Sequence, residues 1–534
     1  MTSNDFILIT SGSYANQEIT SDFGLLPTSF LPVGHKRIIE YQLDLIKNFN
    51  CQKIVSLPYD FDLKKRDEKC IFDGGAKVWH TNPNLKLSES IIDFIDKFDL
   101  VKKESKLYIL HGDTLFSSIK NSIDSVYYGF TNLFYKWGNV DELFPSELEC
   151  SENSLMRVLS GYFSFSSPAI LRKELVREKS FEKAIVGYHK SKNLTFIKNN
   201  SWLDFGHSNL YYSSKVKLNV TRNFNQTKAN KNYIKKVSKS INKIRSEYDW
   251  FMQVPEDLIL FIPRVWGYRE HDGESSYNIE FIGAPTLQEK WVFGGLPNYV
   301  YVHILNQAFD FIQKSSKTFF KSTEKEIKSN LYELYIGKTK ARIKEFKSQT
   351  DIDFESPLII NGKNYNSVSY FLEDLLSQIK LGYSDISNLT FMHGDLCFSN
   401  MLFDSRNSLL KLIDPRGGLN DEFDSKQNTE GDFRYDISKL GHSVIGNYDY
   451  IVTGFYDLEK ITTNEYKFQL QHNRRKQLES YFFEKVKEMN VSENFIKVSI
   501  VNLFISMLPL HSEEKNRQIA LLINAYNLYY NLEI

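Results

Sequence analysis

The 534 residues hold 66 basic and 66 acidic side chains, for zero formal charge, with 42% hydrophobic and 25% charged residues. That length exceeds one ordinary core and predicts two domains or more, and those fractions exclude a largely disordered chain. Charge balance weighs against nucleic-acid binding, which needs a basic excess on one domain or face. No run of eighteen apolar residues predicts a membrane span. The four cysteines, Cys51, Cys70, Cys150 and Cys397, are too scattered for a metal motif or a disulfide framework. The opening MTSNDFILITSGSY lacks the basic start and long apolar core of a signal peptide, so a reducing cytoplasm is the expected setting. Aromatics reach 14%, which by itself implies bulky cores.

In chain order, residues 6–10 (FILIT) read as a buried strand opening into Ser11-Gly12-Ser13. Residues 37–49 carry apolar positions at helical spacing, and 53–57 read as the next strand. A helix from Ile91 to Phe98 and a strand at 107–110 follow. This alternation predicts an α/β domain with a mostly parallel sheet and helices on both faces. The pattern changes near residue 215: strands are predicted at 216–220, 233–237, 259–262 and 277–282, and helical periodicity dominates from about 300, as in 301–314 and 519–531. The boundary is set by motif at 216/217, with a β-rich lobe at 217–290 and a helical lobe at 291–534. The Lys- and Asn-rich stretch from Lys228 to Arg245 is interrupted by apolar residues and reads as a lobe surface, not a nucleic-acid site.

Three segments carry chemistry in the first domain. They are Leu31-Pro32-Val33-Gly34-His35-Lys36 with Ile38 to Leu43, then Leu110 to Phe116, then Trp202 to His207 with Tyr211. They resemble sugar-phosphate nucleotidyltransferases and related cytidylyltransferases. The resemblance implies a magnesium pair formed by Asp113 and Asp204, 91 residues apart, which would neutralise the phosphate oxygens while an acceptor phosphate attacks the α-phosphorus of CTP or another nucleoside triphosphate. It also implies nucleotide contacts from Gly12, Ser13 and Lys36, and an acceptor pocket near Gly161. The family's phosphate loop carries an arginine and a lysine. Here residues 11–28 contain neither, and Thr28 stands at the lysine position. A domain that binds a nucleotide-linked product without making it is therefore the alternative.

The second domain contains FMHGDLCFSNMLFD at 391–404 and LLKLIDPRGG at 409–418. His393-Gly394-Asp395 falls on a loop, Asn400 follows Asp395 by five residues, and a hairpin of 401–403 with 409–413 returns Asp414 towards Asn400. Phosphoryl transfer needs these parts: a carboxylate to take the proton of the attacking hydroxyl, and oxygen ligands that hold magnesium on the nucleotide phosphates. The segment resembles the aminoglycoside phosphotransferase and choline kinase superfamily. The resemblance implies a bilobal protein-kinase-like fold with Asp395 as the catalytic residue, Asn400 and Asp414 on magnesium, and ATP as co-substrate. Lys236, or Lys235, is expected to neutralise the phosphates with Glu247 orienting it, and the backbone of the strand end at Glu280 to Ile282 is expected to meet adenine. Residues 222–228 fall where a phosphate-covering loop belongs, and Asp436 is expected to support the catalytic loop.

Together the halves predict a bifunctional transferase. It would phosphorylate a sugar or an amino alcohol and activate the product as an NDP derivative for capsule or lipopolysaccharide synthesis. The alternative is an active kinase with a non-catalytic N-terminal domain.

Overall fold

The computed structural model describes residues 4–133, 135, 137–145, 147, 155–220, 228–229, 233–416, 429–472 and 475–531. The chain forms two compact units, Met1–Val216 with Phe293–Gly295, and Lys217–Val292 with Leu296–Ile534.

The first unit is built on a seven-stranded sheet. Its order is Thr195–Lys198, Ser125–Thr131, Met156–Phe165, Leu107–His111, Phe6–Thr10, Gln52–Pro58, Ala76–Thr81. Phe6–Thr10 runs parallel to both neighbours, and Met156–Phe165 runs antiparallel to both of its own. Side chains alternate across the sheet. Phe6 and Leu8 pack with Ile91, Phe94 and Leu171 on one face, and Ile7 and Ile9 pack with Ile39, Leu43 and Val55 on the other. Burial on both faces is why residues 6–10 are an unbroken apolar run. The carboxyl ends of Phe6–Thr10 and Leu107–His111 open side by side into Ser11-Gly12-Ser13 and Gly112-Asp113, the edge where α/β sheets place ligands.

The second unit begins with a four-stranded antiparallel sheet ordered Lys228–Ala229, Tyr233–Ser238, Glu274–Glu280, Val265–His271. Helix Ile241–Met252 packs on it and buries Ile244, Glu247, Trp250 and Phe251. A helical part follows, centred on Phe433–Val444, Glu493–Met507 and Lys515–Asn531. The stretch Glu493–His511 is long and apolar enough to cross a membrane (mean hydropathy 1.3), yet 72% of it is buried inside the protein, as a core helix requires.

Three expectations are corrected here. Residues 216–220 are not a strand but the last turns of helix Ser208–Val220, which is seated by buried Tyr211 and Tyr212. The run 259–262 is not a strand either. Glu256–Phe261 is a 3₁₀ turn between Pro255 and Pro263, burying Leu258 and Phe261 three apart while Ile259 and Leu260 face solvent. Finally, the part after residue 300 is not purely helical. The hairpin Pro357–Ile360 with Lys363–Ser367 joins the hairpin Tyr456–Lys460 with Glu465–Leu470 in a second four-stranded sheet through one parallel pairing, Ile359 with Glu465, between segments distant in the chain.

Candidate active sites

In the first unit, the chain from Leu107–His111 turns at Gly112-Asp113 into a two-residue strand, Thr114–Leu115. That strand pairs antiparallel with Leu203–Asp204 and sets Asp204 opposite Thr114. Gln42, on helix Ile38–Leu45, holds the turn by donating to the carbonyls of His111 (2.8 Å) and Thr114 (3.0 Å). The Phe205 amide donates to the Asp113 carbonyl at 2.8 Å. Gly206 passes so close that a Cβ there would lie 2.4 Å from Asp113 Oδ2, so the loop carrying Asp204 rests on the Asp113 carboxylate. Asp204 Oδ1 accepts the amides of Gly206 (2.9 Å) and His207 (3.2 Å), and Oδ2 accepts Trp137 Nε1 (3.2 Å). Burial and then the nearby Asp204 charge push the Asp113 carboxyl up to about 6. Against the cost of burial, Asp204 holds His207 above its ordinary value.

Two clefts meet at Asp113. One is lined by Thr10, Gly12, Ser13, Thr28, Asn82, His111 and Gly112. Gly12 has no space for a side chain, since a Cβ would come within 2.3 Å of Thr81 Cγ2. The other is lined by Trp137, Gly161, Phe163, Phe181, Trp202, Asp204 and His207. Among the described residues lining the first cleft there is no lysine or arginine, and burial lowers His111 to about 4, so it is neutral at pH 7. Lys36 sits exposed on a two-residue strand paired with Pro32–Val33, its ammonium over the Tyr41 ring, and lines neither cleft. Trp137 enters the site beyond the residues expected from sequence, and His207, within the Trp202 to His207 segment, gains a role through its contact with Asp204. Their only signal was His207 three residues after Asp204.

In the second unit, strand Thr390–Phe391 ends at His393-Gly394-Asp395. Gly394 has φ +77°, and a Cβ there would lie 2.9 Å from Arg416 Cβ, so only glycine fits. Asp436, in the first turn of Phe433–Val444, accepts the amides of His393 (2.7 Å) and Gly394 (2.8 Å) and fixes the loop from below. The hairpin Met401–Asp404 with Leu409–Leu412 forms as expected, and the Ile413 amide donates to the Asn400 carbonyl (3.0 Å). Asp414 follows with φ +54°, a left-handed conformation that Asp adopts more readily than most non-glycine residues.

The charged groups converge. Lys236 Nζ is 2.7 Å from Glu247 Oε2 and 2.7 Å from Asp414 Oδ1. Tyr277 donates its hydroxyl to the same Glu247 oxygen at 3.1 Å. Burial opposes both charges, yet each outweighs it for the other: Asp414 lies below its ordinary value and Lys236 well above. Lys235, next along the strand, faces the opposite side of the sheet, so Lys236 is the lysine of the cleft. Asn400 Nδ2 donates to the Asp395 carbonyl (2.9 Å) and to Asp395 Oδ2 (3.0 Å), which ties Asn400 to the loop and presents its own Oδ1. With the Asp414 carboxylate this is an oxygen donor set suited to a hard cation such as magnesium. Among the described residues no three His, Cys, Asp or Glu side chains gather into a metal cage.

Asp395 also pairs with Lys439, Nζ to Oδ1 2.9 Å. Burial raises the Asp395 carboxyl, but Lys439, His393 and Arg416 outweigh it and hold it well below the usual carboxylate range. Sequence reasoning missed Lys439, although it lies four residues after Tyr435 on one helix face. Strand Glu274–Glu280 ends at Glu280, whose side chain pairs with Arg264 (3.0 Å), and the half-buried Ile282 follows with its carbonyl accepting the Ala284 amide (2.9 Å). Residues 222–227, assigned to a phosphate-covering loop, lie outside the described residues, as does Gly417.

No family model matches the chain, and no curated protein matches it. Among solved structures, a thermostable mutant of aminoglycoside phosphotransferase APH(4)-Ia with ADP and hygromycin B is 13% identical, covering 55% of this chain and 85% of that one, TM-score 0.35. Glucosamine kinase with glucosamine, ADP and inorganic phosphate is 9% identical over 56% and 72%, TM-score 0.35. HddC from Yersinia pseudotuberculosis is 15% identical over 40% of this chain and 99% of its own, TM-score 0.28. A nucleoside-diphosphate-sugar pyrophosphorylase from Vibrio cholerae RC9 is 10% identical over 40% and 99%, TM-score 0.29.

Proposed function

We propose that residues 217–534 are an ATP-dependent small-molecule kinase. The observation that carries this reading is the ion chain Glu247–Lys236–Asp414 beside the Asn400–Asp395 pair, the two joined by the backbone bond from the Ile413 amide to the Asn400 carbonyl. Magnesium held by Asn400 and Asp414 would neutralise the nucleotide phosphates and align the γ-phosphoryl group. Glu247 and Tyr277 hold Lys236 at the point where it meets those phosphates. Asp395 orients the acceptor hydroxyl and receives its proton, and Lys439 keeps Asp395 ionised. Asp436 fixes the loop so that Asp395 needs no rearrangement. A screen of ATP consumption against sugars, amino sugars, choline, ethanolamine and short polyols tests the reading; no Mg²⁺-dependent ATP binding and no turnover would sink it.

For the first unit we propose transfer of a nucleotidyl group from CTP or another nucleoside triphosphate to the phosphorylated product, giving an NDP derivative for surface polysaccharide synthesis in the cytoplasm. The Asp113–Asp204 pair supports it: Asp113 is pushed up by burial and then by the Asp204 charge, and a bound cation would offset both. The first cleft's lining, which lacks lysine and arginine, favours a second reading in which the unit binds a nucleotide-linked product without forming it. Pyrophosphate release with each NTP and a panel of phosphorylated acceptors separates the two: release supports transfer, and its absence beside an active kinase supports binding alone.

A further inference from the structure

The surroundings of Asp395 are basic. Tyr435 and Lys439 lie one turn apart on the same face of helix Phe433–Val444. Lys439 reaches Asp395, and the Tyr435 hydroxyl is met by Lys338 Nζ at 2.8 Å and Arg416 Nη1 at 3.5 Å. Lys338 opens helix Lys338–Gln349, and Arg342 follows one turn later, donating to the Ser506 carbonyl at 2.8 Å. Lys338 and Arg342 are half-buried, and their hydrogen-bond partners are neutral oxygens. Burial and the neighbouring charges of Arg416, Arg342 and Lys439 push Lys338 well below its ordinary value, with Asp395 the opposing charge. Arg342 is lowered by burial and by Arg416, opposed by Tyr435, Glu345 and Asp395.

Among the described residues Lys338, Arg342 and Lys439 face Asp395 and Glu345, and an excess of buried positive charge is unfavourable unless a further anion joins it. The nucleotide's own phosphates have a separate counter-charge in Lys236, which lies with Asp414. A cationic acceptor such as an amino alcohol would meet repulsion at Lys338 and Arg342. A neutral sugar would leave them, among the described residues, only Asp395 and Glu345 as opposing charges, and Asp395 is already paired with Lys439. We infer that the acceptor of the proposed kinase carries an oxyanion, a carboxylate or a phosphate, held by Lys338 and Arg342 while its hydroxyl lies on Asp395. This inference rests on the kinase reading above, and it narrows the substrate class from sugars and amino alcohols to acidic sugars or sugar phosphates.

The test uses the full chain and matched acceptors: glucose, glucuronate and glucose 6-phosphate, with choline and glucosamine as cations. The expected result is kcat/KM at least tenfold higher for an anionic acceptor than for glucose, with the carboxylate and phosphate arms identifying the anion. Lys338→Met and Arg342→Met should raise the KM for that acceptor about tenfold or more and change kcat less than threefold. Equal or better turnover of a neutral or cationic acceptor, or an unchanged KM in both variants, would overturn the inference. If no acceptor in the panel turns over, calorimetric titration of glucuronate and glucose 6-phosphate into protein saturated with AMP-PNP and Mg²⁺ decides. Weakening of at least fivefold in both variants sustains the inference, and an equal response in wild type and variants overturns it. AMP-PNP binding in the same titrations tests the kinase reading separately, and thermal melts establish that each variant is folded.

Discussion

Asp395→Asn removes one negative charge and almost no volume, so it separates chemistry from architecture. The amide can still accept from Asn400 Nδ2, now 3.0 Å from Asp395 Oδ2, but it cannot take a proton from an acceptor. A positioned general base contributes roughly 10²–10⁴-fold, so kcat should fall by that factor. The KM for ATP should stay near wild type, because Lys236, Glu247 and Asp414 keep their contacts. Stability should change by a different amount. Lys439 is 9% exposed and Asp395 39%, so their pair lies between a buried and a surface ion pair. Breaking a buried pair costs about 3–5 kcal/mol and a surface pair about 0–1 kcal/mol; solvent screening at Asp395 places this one at about 1–2 kcal/mol. Asp395→Asn/Lys439→Met, which removes the stranded cation, should recover most of that stability and none of the activity. The sign with pH is fixed: a depressed folded pKa means the pair's contribution is present above the unfolded carboxyl value near 4 and is lost as pH falls through the lower folded value. The stability gap between wild type and Asp395→Asn should therefore be flat from pH 5 to 8 and shrink in stronger acid. ADP release in a coupled assay gives the rate, and urea unfolding gives the stability. A variant with kcat within tenfold of wild type would refute the role of Asp395.

Lys236→Met should abolish ATP turnover and destabilise the second unit by about 3 kcal/mol, because Glu247, 5% exposed, then keeps among the described residues only the Tyr277 hydroxyl; Lys236→Met/Glu247→Leu should regain stability in urea unfolding without regaining turnover. Gly206→Ala should displace the Asp204 loop from Asp113, cost about 1–3 kcal/mol by overpacking, and weaken divalent-cation binding in the first unit while ATP turnover by the second stays within twofold, as read by calorimetry and ADP release. Thr28→Lys should place an ammonium in the first cleft and tighten nucleoside triphosphate binding by roughly tenfold, about one charge-assisted hydrogen bond; unchanged affinity by calorimetry would mean that triphosphates do not occupy that cleft.

The sites that sequence located well were those where one local rule bound several residues. His393 to Asp414 obeyed turn chemistry, hairpin pairing and ligand spacing at once, and the hairpin delivers Asp414 beside Asn400 through one backbone bond. Phe6–Thr10 was legible because burial on both faces leaves an unbroken apolar run. What stayed hidden depended on long-range packing. The spacing of the sequence favours Lys236 over Lys235, but the sheet face that separates the two comes only from the strand pairing. Residues 216–220 read as a strand, but Tyr211 and Tyr212, buried one turn earlier, carry the helix through them. Lys338 and Arg342 sit within a run of charges that looks like a solvated helix face until the fold brings Tyr435 against it.

Zero net charge conceals two opposite local solutions to the handling of phosphate. Around Asp395 the protein supplies cations itself, with Lys439, Lys338, Arg342 and Arg416 on two helices and a loop. Around Asp113 it supplies carboxylates, with Asp204 adjacent and Glu182 in the same lining, and His207 already engaged with Asp204. A phosphate group can approach two carboxylates only behind a metal ion. A phosphate or carboxylate can approach Lys338 and Arg342 without one. Ligand binding in the first unit should therefore collapse when divalent cations are chelated, whereas acceptor binding in the second should persist. The contrast follows from side-chain charge alone, and it holds whichever nucleotide or acceptor each site proves to take.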